Sequence, residues 1–123
     1  IILNVMSFGY KNGVPLDADF MFDVRFLDNP YYQSELRTKT GLDIAVSDYV
    51  FSQSEASEVV ETISNLMKHW IPLHSQAGKT SLTISIGCTG GQHRSVAITE
   101  KLSQILSLTF GTVTTIHRDL SNT

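Results

Sequence analysis

The sequence predicts an α/β domain, a mostly parallel sheet with flanking helices. Three observations carry that prediction. Residues 81–117 read as strand, glycine-rich loop, helix, strand. A long helix with apolar periodicity precedes them from Ser54, and the chain opens on a strand at residues 1–8. A strand–helix–strand order implies a right-handed βαβ unit. Ligands on such sheets sit at the carboxyl ends of the strands.

Each element has a local reason. Ile1-Ile2-Leu3-Asn4-Val5-Met6-Ser7-Phe8 is apolar enough for a strand. Gly9 to Asp19 holds two glycines and a proline and reads as a loop. Phe20 to Phe26 reads as a second strand, closed by the turn chemistry of Asp28-Asn29-Pro30. Residues 31–42 read as irregular or a short helical turn, and Asp43 to Phe51 as a short helix. Ser54 is the expected N-cap of the long helix, with Ser57 as the weaker alternative. Val59, Ile63, Leu66, Met67, Trp70 and His74 recur there at three- and four-residue spacing. Pro72 is expected to kink or shorten that helix, because its ring clashes with the preceding turn. Gly78 is the expected stop. Ser81 to Ile86 is a β-branched strand. Gly87 to His93 is a glycine-rich turn, and Arg94 to Leu108 a helix with Ile98, Leu102, Ile105 and Leu106 on one face. Val113 to Ile116 is the last strand.

At 123 residues and 13.6 kDa, residues 1–123 make a single domain. A domain of this size buries roughly two-thirds of its unfolded surface and needs no staple. One cysteine cannot form an internal disulfide and suits a reducing compartment, so the expected location is cytoplasmic. The formal charge of −3 excludes a surface that is basic throughout. Hydrophobic residues make 41%, which excludes a disordered tail. Charged residues make only 17%, low for a free-standing domain. No apolar run reaches the length of a membrane span, and no signal peptide is visible. The opening strand has no start methionine and no lead-in. The chain therefore reads as part of a longer protein whose upstream portion is missing.

The chemistry concentrates in Gly87-Cys88-Thr89-Gly90-Gly91-Gln92-His93-Arg94-Ser95. Amides in a tight glycine-rich turn can point inward together. The helix that follows adds unpaired N–H groups and a partial positive charge. Together they make an anion site, most often filled by phosphate. Thr89 and Ser95 offer hydroxyls, Arg94 a forked donor, and His93 a donor or proton-transfer group. The alternative is a plain tight connection from strand to helix. Neither a Walker pattern nor G-x-G-x-x-G is present, so a nucleotide P-loop is not expected in this chain. Cys88 and Arg94 also match the Cys-x5-Arg-Ser skeleton of cysteine-dependent phosphatases. Cys88 is thus either a nucleophile with a lowered pKa or a small buried residue at a strand end. Lys11 lies in a glycine-flanked loop and is either a phosphate contact or a solvated lysine. Asp23, Arg25, Asp28 and Asn29 form a polar cluster in which Asp23 and Arg25 can pair with each other. His69, Trp70 and His74 read as core or surface residues, and no His/Cys spacing fits a metal.

Several longer motifs go further. Ser7-Phe8-Gly9-Tyr10-Lys11-Asn12-Gly13-Val14-Pro15, Phe22-Asp23-Val24-Arg25-Phe26-Leu27-Asp28-Asn29-Pro30, Thr40-Gly41-Leu42-Asp43 and Gly87 to Val96 resemble the RapZ/YvcJ family. The resemblance covers nearly the whole chain and corresponds to that family's C-terminal domain. It implies a two-domain bacterial cytoplasmic protein whose N-terminal P-loop domain, absent here, binds ATP or GTP and hydrolyses them. This domain would then hold no cofactor and be no enzyme itself. In the enterobacterial branch the resemblance implies an RNase adapter that binds small regulatory RNA and responds to glucosamine-6-phosphate. The C-terminal domain there holds the sugar phosphate, contacts RNA and oligomerises. The implied ligand set is Cys88, Thr89, Gly90, Gly91, Gln92, His93, Arg94 and Ser95, joined by Lys11, Arg25 and Asn29. Tyr31 stands where the enterobacterial branch has a ligand-contacting histidine. The tail His117-Arg118-Asp119-Leu120-Ser121-Asn122-Thr123 carries one arginine and one aspartate where the enterobacterial tail is basic. The chain is in that respect more similar to the Gram-positive type. The expected partners are a phosphorylated amino sugar or other anionic metabolite, small regulatory RNA, and further copies of the chain, with no membrane.

Overall fold

The computed structural model describes residues 1–120. Ser121, Asn122 and Thr123, the end of the polar tail, lie outside the described residues. The sheet has four strands, all parallel, in the order β2-β3-β1-β4. They are β1 (Ile2–Gly9), β2 (Phe20–Asp23), β3 (Ser81–Cys88) and β4 (Val113–His117). Three helices accompany them: α1 (Ile44–Phe51), α2 (Ser54–Gln76) and α3 (Arg94–Phe110). Single 3-10 turns follow β1 at Tyr10–Asn12 and open at Pro30–Tyr32.

The βαβ unit is present, but its two strands are not neighbours. β3 pairs with β1 from Ile2↔Ser81 to Gly9↔Cys88, and β4 lies on the other side of β1 from Leu3↔Val113 to Ser7↔His117. The crossover through α3 thus reaches across β1. Period-two side chains then sort to the helices. Leu3 and Val5 of β1 and Leu82, Ile84 and Ile86 of β3 form one buried cluster with Met67, Ile71, Ile98, Leu102 and Leu106.

Several boundaries differ from those expected. β2 stops at Asp23, three residues early. The Asp23 carboxylate accepts the Arg25 N–H at 2.9 Å, and Leu27 N–H donates to the Val24 carbonyl at 3.2 Å. A side chain that offers the backbone an alternative partner curls the chain out of the sheet. β3 runs two residues further, so Gly87 and Cys88 belong to the strand rather than the turn. Gln53, not Ser54 or Ser57, precedes the first turn of α2, and no side chain caps it.

The helix α2 runs through Pro72 to Gln76. Pro72 cannot donate to the Lys68 carbonyl, but both residues are exposed, so water can reach that oxygen. Gly78 ends the helix as expected. Its φ is 99°, and Gly78 and Lys79 amides return to the Ser75 and His74 carbonyls. The buried stripe is Ala56, Val60, Ile63, Ser64, Met67 and Ile71. It is rotated from the expected face: Trp70 and His74 stand at its margin against the Phe20 ring.

Candidate functional site

Because every strand runs the same way, β1, β2 and β3 deliver their last residues to one end of the sheet. The loop from Thr89 to His93 leaves β3 there and enters α3 directly. Close approach shapes it. A Cβ added to Gly9 would lie 2.5 Å from the Gly90 carbonyl carbon, and one on Gly91, whose φ is 77°, would lie 2.7 Å from Gly9 N. Neither position admits a side chain. Lys11 N–H donates to the Thr89 carbonyl at 3.1 Å, and Gly41 N–H to the Gln92 carbonyl at 2.8 Å. The Thr89 and Gln92 carbonyls thus turn outward to neighbouring segments. The loop's own amides are left over: among the described residues no acceptor meets the N–H groups of Gly90, Gly91 or Gln92. His93 precedes α3 without a side-chain cap, so the helix's first amides add to that set. Unpaired amides around a helix start favour an anion.

A cavity of about 330 Å³ opens over this loop. Its walls include Thr89, Gly90, Gln92, His93 and Arg94 with Lys11, Asn29 and Tyr31 from other segments. The expected residues Lys11, Asn29 and Tyr31 are therefore brought to the loop. A second cavity of about 540 Å³ adjoins it and shares Asn29, Tyr32, Thr89 and Arg94. Arg25 lines that second part. Asp23 and Arg25 do pair, at 2.6 Å, and the Arg25 guanidinium lies 3.8 Å from the Tyr10 ring centroid. Its hydrogen bonds from Arg25 hold the Asp23 carboxyl below the ordinary carboxylate range.

Arg94 is 4% exposed and does more than wait for a ligand. One terminal nitrogen donates to the Arg25 and Leu27 carbonyls at 2.8 and 2.9 Å, and the other reaches Thr89 Oγ1 at 3.3 Å. Its Nε is buried with no partner among the described residues. Arg94 braces the turn after β2 against the loop. Burial lowers the pKa of His93, an effect that outweighs the carbonyls of Leu36, Lys39 and Arg37 around it. The ring is therefore neutral at neutral pH, and its Nε2 is also buried without a partner among the described residues.

Two expected residues sit behind the loop rather than in the cavity wall. Ser95 is fully buried and its Oγ lies 3.1 Å from Cys88 Sγ. Gly91 backs onto Gly9. Sequence reasoning missed Arg37 and Tyr32 in the wall, because the irregular stretch 31–42 has no period to read. It also missed Asp119, whose Oδ2 accepts the Gly9 N–H at 2.7 Å.

Fold and site together define a parallel α/β domain with a glycine-rich strand-to-helix loop opening into a cationic cleft. The chain belongs to the family of RapZ C-terminal domains: the model of that domain matches residues 1–121. Among curated relatives, a nucleotide-binding protein of Shewanella woodyi is 48% identical over 122 residues, 99% of this chain and 44% of its own length. Nucleotide-binding proteins of Geobacillus thermodenitrificans and Lysinibacillus sphaericus are each 50% identical, over 96% and 97% of this chain and 39% and 40% of theirs. The chain spans about two-fifths of the length of these relatives. Among the described residues, no helix is long and apolar enough to cross a membrane, and no group of three acidic, His or Cys side chains gathers as for a metal.

Proposed function

We propose that this chain is a phosphate-sensing regulatory domain that binds a phosphorylated amino sugar such as glucosamine-6-phosphate, and that it catalyses nothing itself. The observation that carries this reading is the pair of unpaired amides at Gly90 and Gln92 beside Lys11 and Arg94. Donors fixed in advance around an anion need no reorganisation when it arrives. Thr89 supplies a hydroxyl, neutral His93 a ring nitrogen, and Asn29 and Tyr31 the polar contacts suited to a sugar. The cofactors ATP and GTP belong to the upstream part of the longer protein. Its setting is the cytoplasm, and its macromolecular partners are small regulatory RNA and copies of itself.

Titration calorimetry with glucosamine-6-phosphate and a panel of phosphosugars tests the central claim. Saturable heat that Arg94→Ala removes supports it, and no heat with any of them overturns it. A second reading has its own observation. Cys88 lines the cleft, Ser95 Oγ stands 3.1 Å from its sulfur, and Arg94 follows at the phosphatase spacing. A cysteine phosphatase would hydrolyse an aryl phosphate and lose that activity in Cys88→Ser.

A further inference from the structure

We propose that Asp119 is the positioning residue of the anion loop, clasping it to the end of β1 so that filling the site and closing the clasp stabilise each other. The inference rests on the ligand reading above. Three chain segments far apart in sequence meet at this residue. The Asp119 Oδ2 accepts the Gly9 N–H at 2.7 Å, and its backbone carbonyl accepts Gln92 Nε2 at 2.6 Å. The Gly91 position has no spare room, since a Cβ there would lie 3.0 Å from the Asp119 Cβ. The strand β4 brings Asp119 to this place: Arg118 N–H continues the ladder to the Ser7 carbonyl at 3.1 Å.

A carboxylate so close to an anion site would repel the ligand if it stood alone. Arg118 prevents that. Its Nε and a terminal nitrogen hold the two Asp119 oxygens at 3.0 and 2.8 Å, and the same terminal nitrogen reaches the Gly13 carbonyl at 2.6 Å. Burial alone would raise the Asp119 pKa, but the bonds from Arg118 and Gly9 outweigh it and hold it below the ordinary value. The clasp is therefore an ionised but neutralised pair at neutral pH. It matters because Gly90 and Gly91 have no side chains with which to fix themselves. Gln92 is the loop's own anchor to the tail, and Asp119 holds the wall the loop leans on. Ordering a glycine loop costs conformational entropy. A clasp that has already ordered it lowers the cost of binding, and binding must tighten the clasp by the same factor.

Two amides report the loop's position without any ligand, because they donate to its carbonyls: Lys11 to Thr89 and Gly41 to Gln92. Their hydrogen exchange is measured in the wild type, Asp119→Ala, Asp119→Asn and Gln92→Met, with glucosamine-6-phosphate affinity by calorimetry alongside. In Asp119→Ala both amides exchange faster, core amides such as Val60 and Met67 do not, and affinity falls roughly tenfold. Asp119→Asn, which keeps an acceptor for Gly9, recovers part of both effects. In the wild type the sugar phosphate slows both amides. If Asp119→Ala cannot fold, Gln92→Met carries the same expectation. Wild-type exchange and affinity in folded Asp119→Ala and Gln92→Met overturn the clasp while leaving the ligand reading intact. Absence of binding by the wild type overturns the ligand reading and the coupling with it.

Discussion

Two of the hollows among the described residues differ in kind. One lies between β2 and α2, is about 430 Å³, and is walled by Phe22, Val24, Val59, Ile63 and Leu66 with Glu55 and Glu58 at its rim. The other is the cleft over the glycine loop, similar in size but lined by Lys11, Arg37, Arg94 and backbone amides. The first offers apolar area, which grips without direction. The second offers cationic side chains held in place by the fold, beside loop amides that meet no acceptor among the described residues. A hollow becomes a specific site through polar groups that converge on one point, and only the second has them.

That contrast can be broken at several points, and the largest effect is expected at Arg94. Arg94→Ala removes a buried cation that holds the Arg25 and Leu27 carbonyls. Denaturant unfolding should show a loss of about 3 kcal/mol, together with loss of phosphosugar binding. Gly9→Ala comes next. Its new Cβ meets the Gly90 backbone at 2.5 Å. A loss of roughly 1–3 kcal/mol and a weakened anion site are expected, read by unfolding and calorimetry on the same sample.

A pH effect of smaller size should belong to the cleft as well. The folded pKa of His93 lies below its ordinary value of 6.5. Below that value the unfolded chain binds the proton more readily than the folded one. The stability His93 contributes is therefore complete above pH 6.5 and declines as pH falls through that value toward the folded pKa. The melting temperature of the wild type should drop on acidification through that range, and His93→Gln should flatten the drop. The smallest effect is expected in the apolar hollow. Glu58 stands at its rim and is exposed. Glu58→Ala should leave stability within about 0.5 kcal/mol and phosphosugar affinity unchanged.

The features legible in the sequence are those with local causes. The order of β3, loop and α3 follows from β-branching, glycines and helical periodicity within forty residues, and the loop's residue types are those on which the proposed anion site rests. What the sequence does not show is long-range. Nothing near Val113 reveals that β4 crosses to the far side of β1, and that crossing is what brings Asp119 to Gly9. The bracing of Arg94 joins residues nearly seventy apart. The buried face of α2 differs from the expected one for a milder reason: Val59 and Val60, or Trp70 and Ile71, are adjacent apolar residues, and periodicity alone cannot rank them. The sheet, not the helix, chooses Val60 and Ile71.

The central claim is that the loop's unpaired amides hold an anion. Titrating ¹⁵N-labelled protein with inorganic phosphate and then glucosamine-6-phosphate, while following each amide resonance, tests it directly. The largest saturable shifts should fall on Gly90, Gly91, Gln92 and the first residues of α3, with Val59 and Leu66 unmoved. Shifts that centre on the apolar hollow, or no saturable shift in the loop, would contradict it.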